Sequence, residues 1–346
     1  MAATNASSQQ TIGFSNRIKN VAIVGATGRL GKFLTSALLD KKSFNITAIT
    51  RSNSGPPPPG VLVATVDYSD PSTLVSALRG QEVLIITMSR AAPPDQQSKL
   101  IDAAATAGVP YVIPNEFGGN TDNKTVSDEV YIGPGKRKLR AQIEELGVSS
   151  WLGIVTSFWY EYSLAGPGLF GIDVAKREVT FFDDGKQRLN TITWPQIGRA
   201  VANLLSLPIL PEDGREKEGQ VVLSSYNNCF VFVSSFALNQ REMLDSLNRV
   251  MGLSDSDWKI TQENSRERVQ RAKEMAKAGD NMGFVMLLYT RYYYPGENAG
   301  LYEVTHGLEN EALGLPKESL DQATKEAVEM VERGDLNPYF KAILGK

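Results

Sequence analysis

Three glycines, Gly25, Gly28 and Gly31, follow the apolar run Val21-Ala22-Ile23-Val24 and precede Lys32 to Leu39, where Phe33, Leu34, Ala37 and Leu38 are spaced for one helical face. That order reads as a buried strand, a tight turn and a helix start. A nucleotide pyrophosphate needs this geometry: glycines let the backbone approach closely, and the first free N–H groups of the helix, with the positive end of its dipole, face the phosphates. Gly25 permits the turn, Gly28 keeps side-chain bulk away from the ligand and Gly31 lets helix and strand pack. Thr27, Arg29 and Leu30 complete the phosphate loop. A second strand, Phe44 to Thr50, ends in Thr50-Arg51-Ser52 with no Asp or Glu at its tip. The acid that would hold a free ribose 2′-hydroxyl is missing, and a cation stands where a 2′-phosphate would lie. NADP(H) is therefore expected over NAD(H), with Arg51 as the main discriminator and Arg29 as a second cation. The alternative for Arg51 is a solvated residue at a strand end.

The elements that must position these residues alternate through the first half of the chain. Val61 to Val66 reads as a strand closed by Asp67, and Asp70-Pro71-Ser72 starts a helix to Leu78 with proline in its first turn. Strands follow at Val83 to Thr87, Val109 to Ile113 and Trp151 to Thr156, with helices at Pro93 to Ala107 and Arg137 to Leu146. Such alternation predicts an α/β fold, an NAD(P)-binding Rossmann-like, doubly wound parallel sheet with ligand at the carboxyl ends of its strands. Arg51, Asp67, Thr87, Met88 and Asn115 fall at or just after those ends and should line one crevice, flanked by Ser89-Arg90.

The expected division is a Rossmann domain over 19–157 and a smaller α/β substrate lobe over 158–346, with no clear linker and a cleft between them. In the second half, short strands near Glu178 to Phe182 and Gln220 to Ser224 alternate with helices at Pro195 to Ser206, Ser235 to Met251 and Ser265 to Ala278. An apolar, aromatic stretch spans Gly283 to Tyr293, and a helix from Ser319 to Arg333 closes the chain. Ser54-Gly55 and four prolines to Gly60 make a stiff surface loop.

Composition narrows the classes. The 346 residues are 42% hydrophobic and 22% charged with net charge −3, which provides no field for nucleic acid or an anionic membrane, so phosphate recognition must be local. One cysteine, Cys229, and one histidine, His306, exclude a disulfide framework, a cysteine metal cluster and a multi-histidine metal site. Residues 1–18 are rich in Ala, Ser, Asn, Gln and Thr and lack an apolar core of signal-peptide length, and no later stretch approaches a membrane span. A disordered tail on a cytoplasmic protein is expected, a monomer or homodimer whose partner is a small molecule.

The chain resembles the NmrA-like and isoflavone-reductase-like group of atypical short-chain dehydrogenases. Gly-Ala-Thr-Gly-Arg-Leu-Gly at 25–31 is similar to the group's nucleotide fingerprint, and Thr50-Arg51 to its NADP-selecting strand end. Ile113-Pro114-Asn115-Glu116-Phe117-Gly118 resembles a segment that plant members usually write Pro-Ser-Glu-Phe-Gly. Lys136-Arg137-Lys138-Leu139-Arg140, with Ile143-Glu144 and Gly147-Val148, resembles the catalytic-lysine helix. The resemblance implies NADPH-dependent hydride transfer to a small aromatic substrate. Two departures bear on the substrate: Ala141 replaces a frequent second arginine, and Tyr131-Ile132-Gly133-Pro134-Gly135 replaces the usual approach to the lysine. The fingerprint is closer to fungal and NmrA-type members, some of which bind NADP as sensors and catalyse nothing.

Reducing a carbonyl or polarised double bond takes a hydride from nicotinamide and a proton or positive charge at the oxygen that becomes negative. Lys136 is the candidate for the second, as general acid or electrostatic clamp. Its alternative is a place in a solvated basic helix start with Arg137, Lys138 and Arg140. Tyr131 is a second catalytic candidate, although Pro134 and Gly135 keep it off the helical turn of Lys136, so a pocket wall or loop anchor is its other reading. His306 has an acid-base reading beside a structural one. Asn115 has a role orienting the lysine or the nicotinamide amide beside one capping its turn, and Glu116 reads as the structural partner of a nearby N–H or cation. Phe117, Phe158, Trp159, Tyr160, Tyr162 and Phe284, with Tyr289 and Tyr293, are candidate walls of an apolar pocket, with core packing as the alternative for each. The leading expectation is an NADPH-dependent reductase of a small apolar, aromatic or polyketide-like metabolite in secondary metabolism. The rivals are an NADP-binding redox-sensing regulator and a non-redox isomerase, dehydratase or cyclase.

Overall fold

The computed structural model describes residues 15–51, 55–89, 92–211 and 221–336. Short runs of aliphatic and β-branched residues bounded by turns form β1 (Asn20–Val24), β2 (Asn45–Thr50), β3 (Val61–Thr65), β4 (Val83–Ile86), β5 (Tyr111–Ile113) and β6 (Ser150–Val155). The second half supplies β7 (Phe158–Trp159), β8 (Ile172–Asp173), β9 (Glu178–Phe182), β10 (Leu189–Ile192), β11 (Cys229–Phe232), β12 (Phe236–Leu238) and β13 (Lys259–Glu263). One sheet of seven strands runs β11-β6-β5-β4-β1-β2-β3, with every neighbouring pair parallel. Two three-stranded sheets, β12-β10-β7 and β13-β9-β8, form from the second half of the chain.

Parallel pairing demands crossovers, and helices supply those that follow β1, β3, β4 and β5: α1 (Gly31–Asp40), α2 (Pro71–Leu78), α3 (Gln96–Ala107), α4 (Lys124–Glu129) and α5 (Gly133–Leu146). Period-two alternation divides the sheet's faces. Val21 and Ile23 pack on the α1 side with Leu34 and Leu38, while Ala22 and Val24 pack on the opposite side with Leu74, Leu100 and Ile143. Each fully buried leucine of this kind contributes roughly 1.5–3 kcal/mol.

Seven helices follow: α6 (Tyr160–Ala165), α7 (Trp194–Leu205), α8 (Gln240–Met251), α9 (Ser265–Lys277), α10 (Asn281–Arg291), α11 (Tyr302–Thr305) and α12 (Leu320–Arg333). Helix α7 lies against α1 where Gly198 leaves no room for a side chain, since a Cβ there would sit 2.5 Å from the Phe33 carbonyl oxygen.

The structure corrects several boundaries. Residues 15–18, expected in a disordered tail, are pinned: Asn16 Nδ2 donates to the Leu210 carbonyl at 2.9 Å and Ile18 is buried. Residues 1–14 lie outside the described residues, as do Ser52, Ser54, Arg90 and Gln220. In place of a strand at 220–224, Leu223–Tyr226 form a 3₁₀ turn, and the strand is β11. The helix expected from Ser235 divides into β12 and α8 because Asn239 caps α8 reciprocally with Glu242, each side chain accepting the other's backbone N–H at 2.9 Å. Helix α5 begins at Gly133 rather than Arg137, with Pro134 tolerated in a first turn that has no intrahelical acceptor to lose.

Candidate active site at the carboxyl ends of the strands

The glycine turn joins β1 to α1. Gly25 has φ +79°, and a Cβ there would lie 2.2 Å from the Thr87 carbonyl oxygen. At Gly31 a Cβ would come within 1.9 Å of the Gly25 carbonyl oxygen. The turn is closed by Gly28 N–H donating to the Gly25 carbonyl at 2.8 Å, and Thr87 Oγ1 donates to the Val24 carbonyl at 2.7 Å. Thr87 thus braces the loop from the end of β4. The Arg29 guanidinium lies 4.9 Å above the Tyr162 ring, so this turn meets the aromatic run after β6 directly.

Arg51 is exposed at the end of β2, close enough to Tyr68 for its charge to act on that phenol. Asp67 is exposed after β3, and hydrogen bonds from the Ser69 hydroxyl and backbone N–H hold its carboxyl below the usual carboxylate range. Asn115 Nδ2 donates to the Met88 carbonyl at 3.0 Å, and the Asn115 N–H donates to Gln97 Oε1 at 3.1 Å, which joins the ends of β4 and β5 to α3. Gln97 was not singled out from the sequence, where nothing separates it from an ordinary helical glutamine.

Lys136 is half-buried on the first turns of α5, and its Nζ donates to the Asn115 carbonyl. Burial pushes its ammonium below the ordinary lysine range; the Glu116 carboxylate opposes that shift and Arg140 adds to it. The solvated basic helix start is therefore overturned. Arg140 is buried, with Nη1 2.5 Å from Glu116 Oε1 and 2.7 Å from Thr121 Oγ1, and its other nitrogen is on Asp122. Its guanidinium also lies over the rings of Trp151 and Phe230. Arg137 turns toward the Thr121 carbonyl, Ser127 and Asp128. Of the four cations only Lys138 is exposed. Glu116 has the structural partner expected of it.

Tyr131 is exposed, precedes α5 and has φ +60°, so it shares no helical turn with Lys136 and is 56% accessible. A catalytic dyad on one helix is thereby removed. Tyr131 instead borders a hollow of about 380 Å³ with Phe284 and the turn between α9 and α10. Ser157, between β6 and β7, is likewise held left-handed at φ +55°, a conformation that costs a non-glycine residue energy and concentrates at functional sites.

The aromatic run after β6 alternates. Trp159 and Tyr162 are partly open, and Trp159 Nε1 donates to the Phe117 carbonyl at 3.1 Å. Both rings meet Trp194, which stacks on Phe33 of α1. Trp194 had no place in the expected pocket, because the sequence signal there is a helix start at Pro195. Phe158 and Tyr160 point the other way and are corrected to core, and Phe117, buried in the same cluster, is corrected with them. Phe158 stacks on Tyr289 at 4.5 Å, while Tyr160 is fully buried with its hydroxyl 2.7 Å from Thr324 Oγ1. Tyr293 is buried against Phe170 and Phe182, and the Tyr289 hydroxyl meets Ser163.

His306 stacks on Phe232 at 4.4 Å, with Nε2 3.1 Å from Asn120 Nδ2 and Nδ1 2.8 Å from Thr305 Oγ1. Both ring nitrogens are engaged, Nε2 on Asn120 of the 115–122 loop and Nδ1 on the adjacent Thr305, which favours the structural reading. Glu161 is a further group the sequence did not mark. It is buried beneath the start of α7, accepts the Trp194 N–H at 3.3 Å, and burial raises its carboxyl to about 8.

A doubly wound parallel sheet with a glycine turn between its first strand and first helix defines a protein of the Rossmann class. Residues 17–203 match the model of the NmrA-like family, and the chain belongs to that family. It is 29% identical over 317 residues to the oxidoreductase aprR of Aspergillus flavus, an alignment covering 87% of this chain and 96% of the relative. With the phenylcoumaran benzylic ether reductase Betv6 of Betula pendula it shares 24% identity over 66% of this chain and 76% of that one. A crystal structure of isoflavone reductase superposes with a TM-score of 0.68 at 18% identity, covering 89% of this chain and 99% of the other. The structure of AtPrR2 with NADP+ and (+)pinoresinol superposes at 0.69 and 19% identity, covering 90% and 99%. Among the described residues no helix is long and apolar enough to cross a membrane.

Proposed function

We propose that this chain is an NADPH-dependent oxidoreductase that reduces a C=C or C=O bond of a small, apolar, aromatic or polyketide-like metabolite. The observation that carries the reading is the half-buried Lys136 amine on the Asn115 carbonyl, beside strand ends that also frame the glycine turn. The residues present fit the dinucleotide. The close turn that brings backbone N–H groups to the phosphates exists only because Gly25 and Gly31 lack a Cβ, which would strike the Thr87 and Gly25 carbonyl oxygens, and Arg51 stands exposed at the end of β2 for a 2′-phosphate. When bound, the nicotinamide supplies the hydride.

The chain's own residues do the rest. Residues 25–31 and Arg51 hold the phosphates, and Asn115 fixes the spacing of the β4 and β5 ends. Desolvation lowers the energy needed to take a proton from Lys136, so its ammonium is a better acid than an exposed lysine and a stronger positive charge toward a developing alkoxide or enolate. The partly open Trp159 and Tyr162 beside the glycine turn, and Tyr131 and Phe284 on the hollow by α9 and α10, offer the apolar and aromatic surface that such a metabolite needs.

The test is calorimetric binding of NADPH followed by its oxidation with isoflavones, benzylic ethers and quinones. Lys136→Ala is expected to lower kcat by roughly 10²–10⁴ while NADPH binding is retained. Undiminished turnover in that variant removes the role of Lys136. Binding with no turnover on any substrate, joined to capture of a protein partner, transfers the reading to a redox sensor.

A further inference from the structure

We propose that the buried Glu116–Arg140 pair is the positioning unit of this site: it holds the Asn115 carbonyl against Lys136 and sets two opposed charges near that amine. The inference rests on Lys136 being the working group of the proposed reductase. Its geometry is independent of that reading.

Lys136 and Arg140 stand four residues apart on α5, one turn of the helix, and so share a face. Glu116 follows Asn115 directly, so the residue that accepts the Lys136 proton donor is chained to the residue that accepts Arg140. One guanidinium therefore fastens the loop at Glu116, Thr121 and Asp122, while Trp151 and Phe230 cover its faces. The only slack between clamp and amine is a single peptide unit. Arginine suits this task because its planar fork binds several oxygens at once, which lysine's point charge does not.

The charged groups around the amine are few. From the loop comes Glu116, whose carboxylate favours the ammonium; from α5 comes Arg140, which disfavours it. Asp122 is taken up by Arg140, and Arg137 is turned to Asp128. A role confined to stability predicts that either single substitution loosens the loop and returns Lys136 toward an ordinary exposed lysine. The positioning role predicts opposite responses: loss of Glu116 favours the neutral amine, and loss of Arg140 favours the ammonium.

Competitive acetylation of the full-length protein with acetic anhydride across a pH series, read by mass spectrometry, measures this directly, with the exposed Lys138 as internal reference. In Glu116→Gln the Lys136 labelling midpoint is expected to move to lower pH, with about threefold faster labelling near neutrality, and in Arg140→Gln to higher pH with slower labelling. The double variant and Arg140→Lys, which leave the local charge balance unchanged, return it close to the unsubstituted protein. Should Arg140→Gln fail to fold, Glu116→Gln and the double variant carry the comparison, since neither leaves Glu116 charged without its partner. Shifts in the same direction, or a midpoint indifferent to Glu116, overturn the proposal. The measurement needs neither NADPH nor substrate, so a failed reductase reading leaves a positive result standing, and a failed labelling result leaves the Lys136→Ala kinetics to decide the other question.

Discussion

The glycine turn and the aromatic cluster beside it meet at Arg29 and Tyr162 but are built by different means. The turn is made of backbone: carbonyl oxygens of Gly25 and Thr87 stand where side chains would be, and its shape follows from residues within a short span of chain. The cluster is made of side chains gathered from distant places, with Phe33 from α1, Trp159 and Tyr162 from either side of the start of α6, and Trp194 from α7. A backbone-built site tolerates no addition. A side-chain-built site tolerates exchange, so within one fold the cofactor half can stay fixed while the substrate half changes.

Substitutions in both halves sharpen that contrast. The largest effect is expected from Gly31→Ala, whose new methyl has no direction in which to relax. It should cost about 3 kcal/mol of stability and remove NADPH binding, read by denaturant unfolding and calorimetry. Glu161→Gln is expected to alter the pH dependence of stability by up to a few kcal/mol. Burial raises this carboxyl from its ordinary 4.5 to about 8, so its contribution is full below about 4.5, falls as pH climbs and is gone above about 8. Unfolding at about pH 5.5 and about pH 8.5 should show the variant gaining on the parent protein at the alkaline end. A parallel pH profile would refute the burial of a proton there.

Smaller effects are expected where single polar contacts are concerned. Arg51→Ala should cut the preference for NADPH over NADH about tenfold by titration with each cofactor. A preference that does not move takes Arg51 out of the phosphate site. Tyr160→Phe should cost about 1 kcal/mol through the lost Thr324 contact and leave KM alone. A raised KM would return Tyr160 to the pocket wall and weaken the division drawn here.

The same contrast decides what could be read from the chain. Gly25, Gly28 and Gly31 announce their geometry because strand, turn and helix are adjacent, and the first six strands of the main sheet are local apolar runs. Arg140 carried only a faint signal, its three-residue spacing from the apolar Ile143, and its burial depends on Glu116 and Asp122 in a loop some twenty residues earlier. Phe158 and Tyr160 were placed in the pocket because they follow a strand end, yet Phe158 on β7 faces away from Trp159 and Tyr160 opens α6 against α12, so both are buried. Glu161 went unmarked because its burial depends on α7, more than thirty residues later, covering it. Tertiary convergence of this kind has no period to detect.

Strand β11 completes the principal sheet beside β6, although more than seventy residues of the second lobe are made between them. A fragment released after Thr156 would present the unpaired edge of β6 to any neighbouring polypeptide, an invitation to clumping that the whole chain withdraws only once Phe232 has arrived. Synthesis must therefore run well past the midpoint before the first half is safe, and ribosome-bound intermediates of this protein are expected to need a chaperone's cover during that interval.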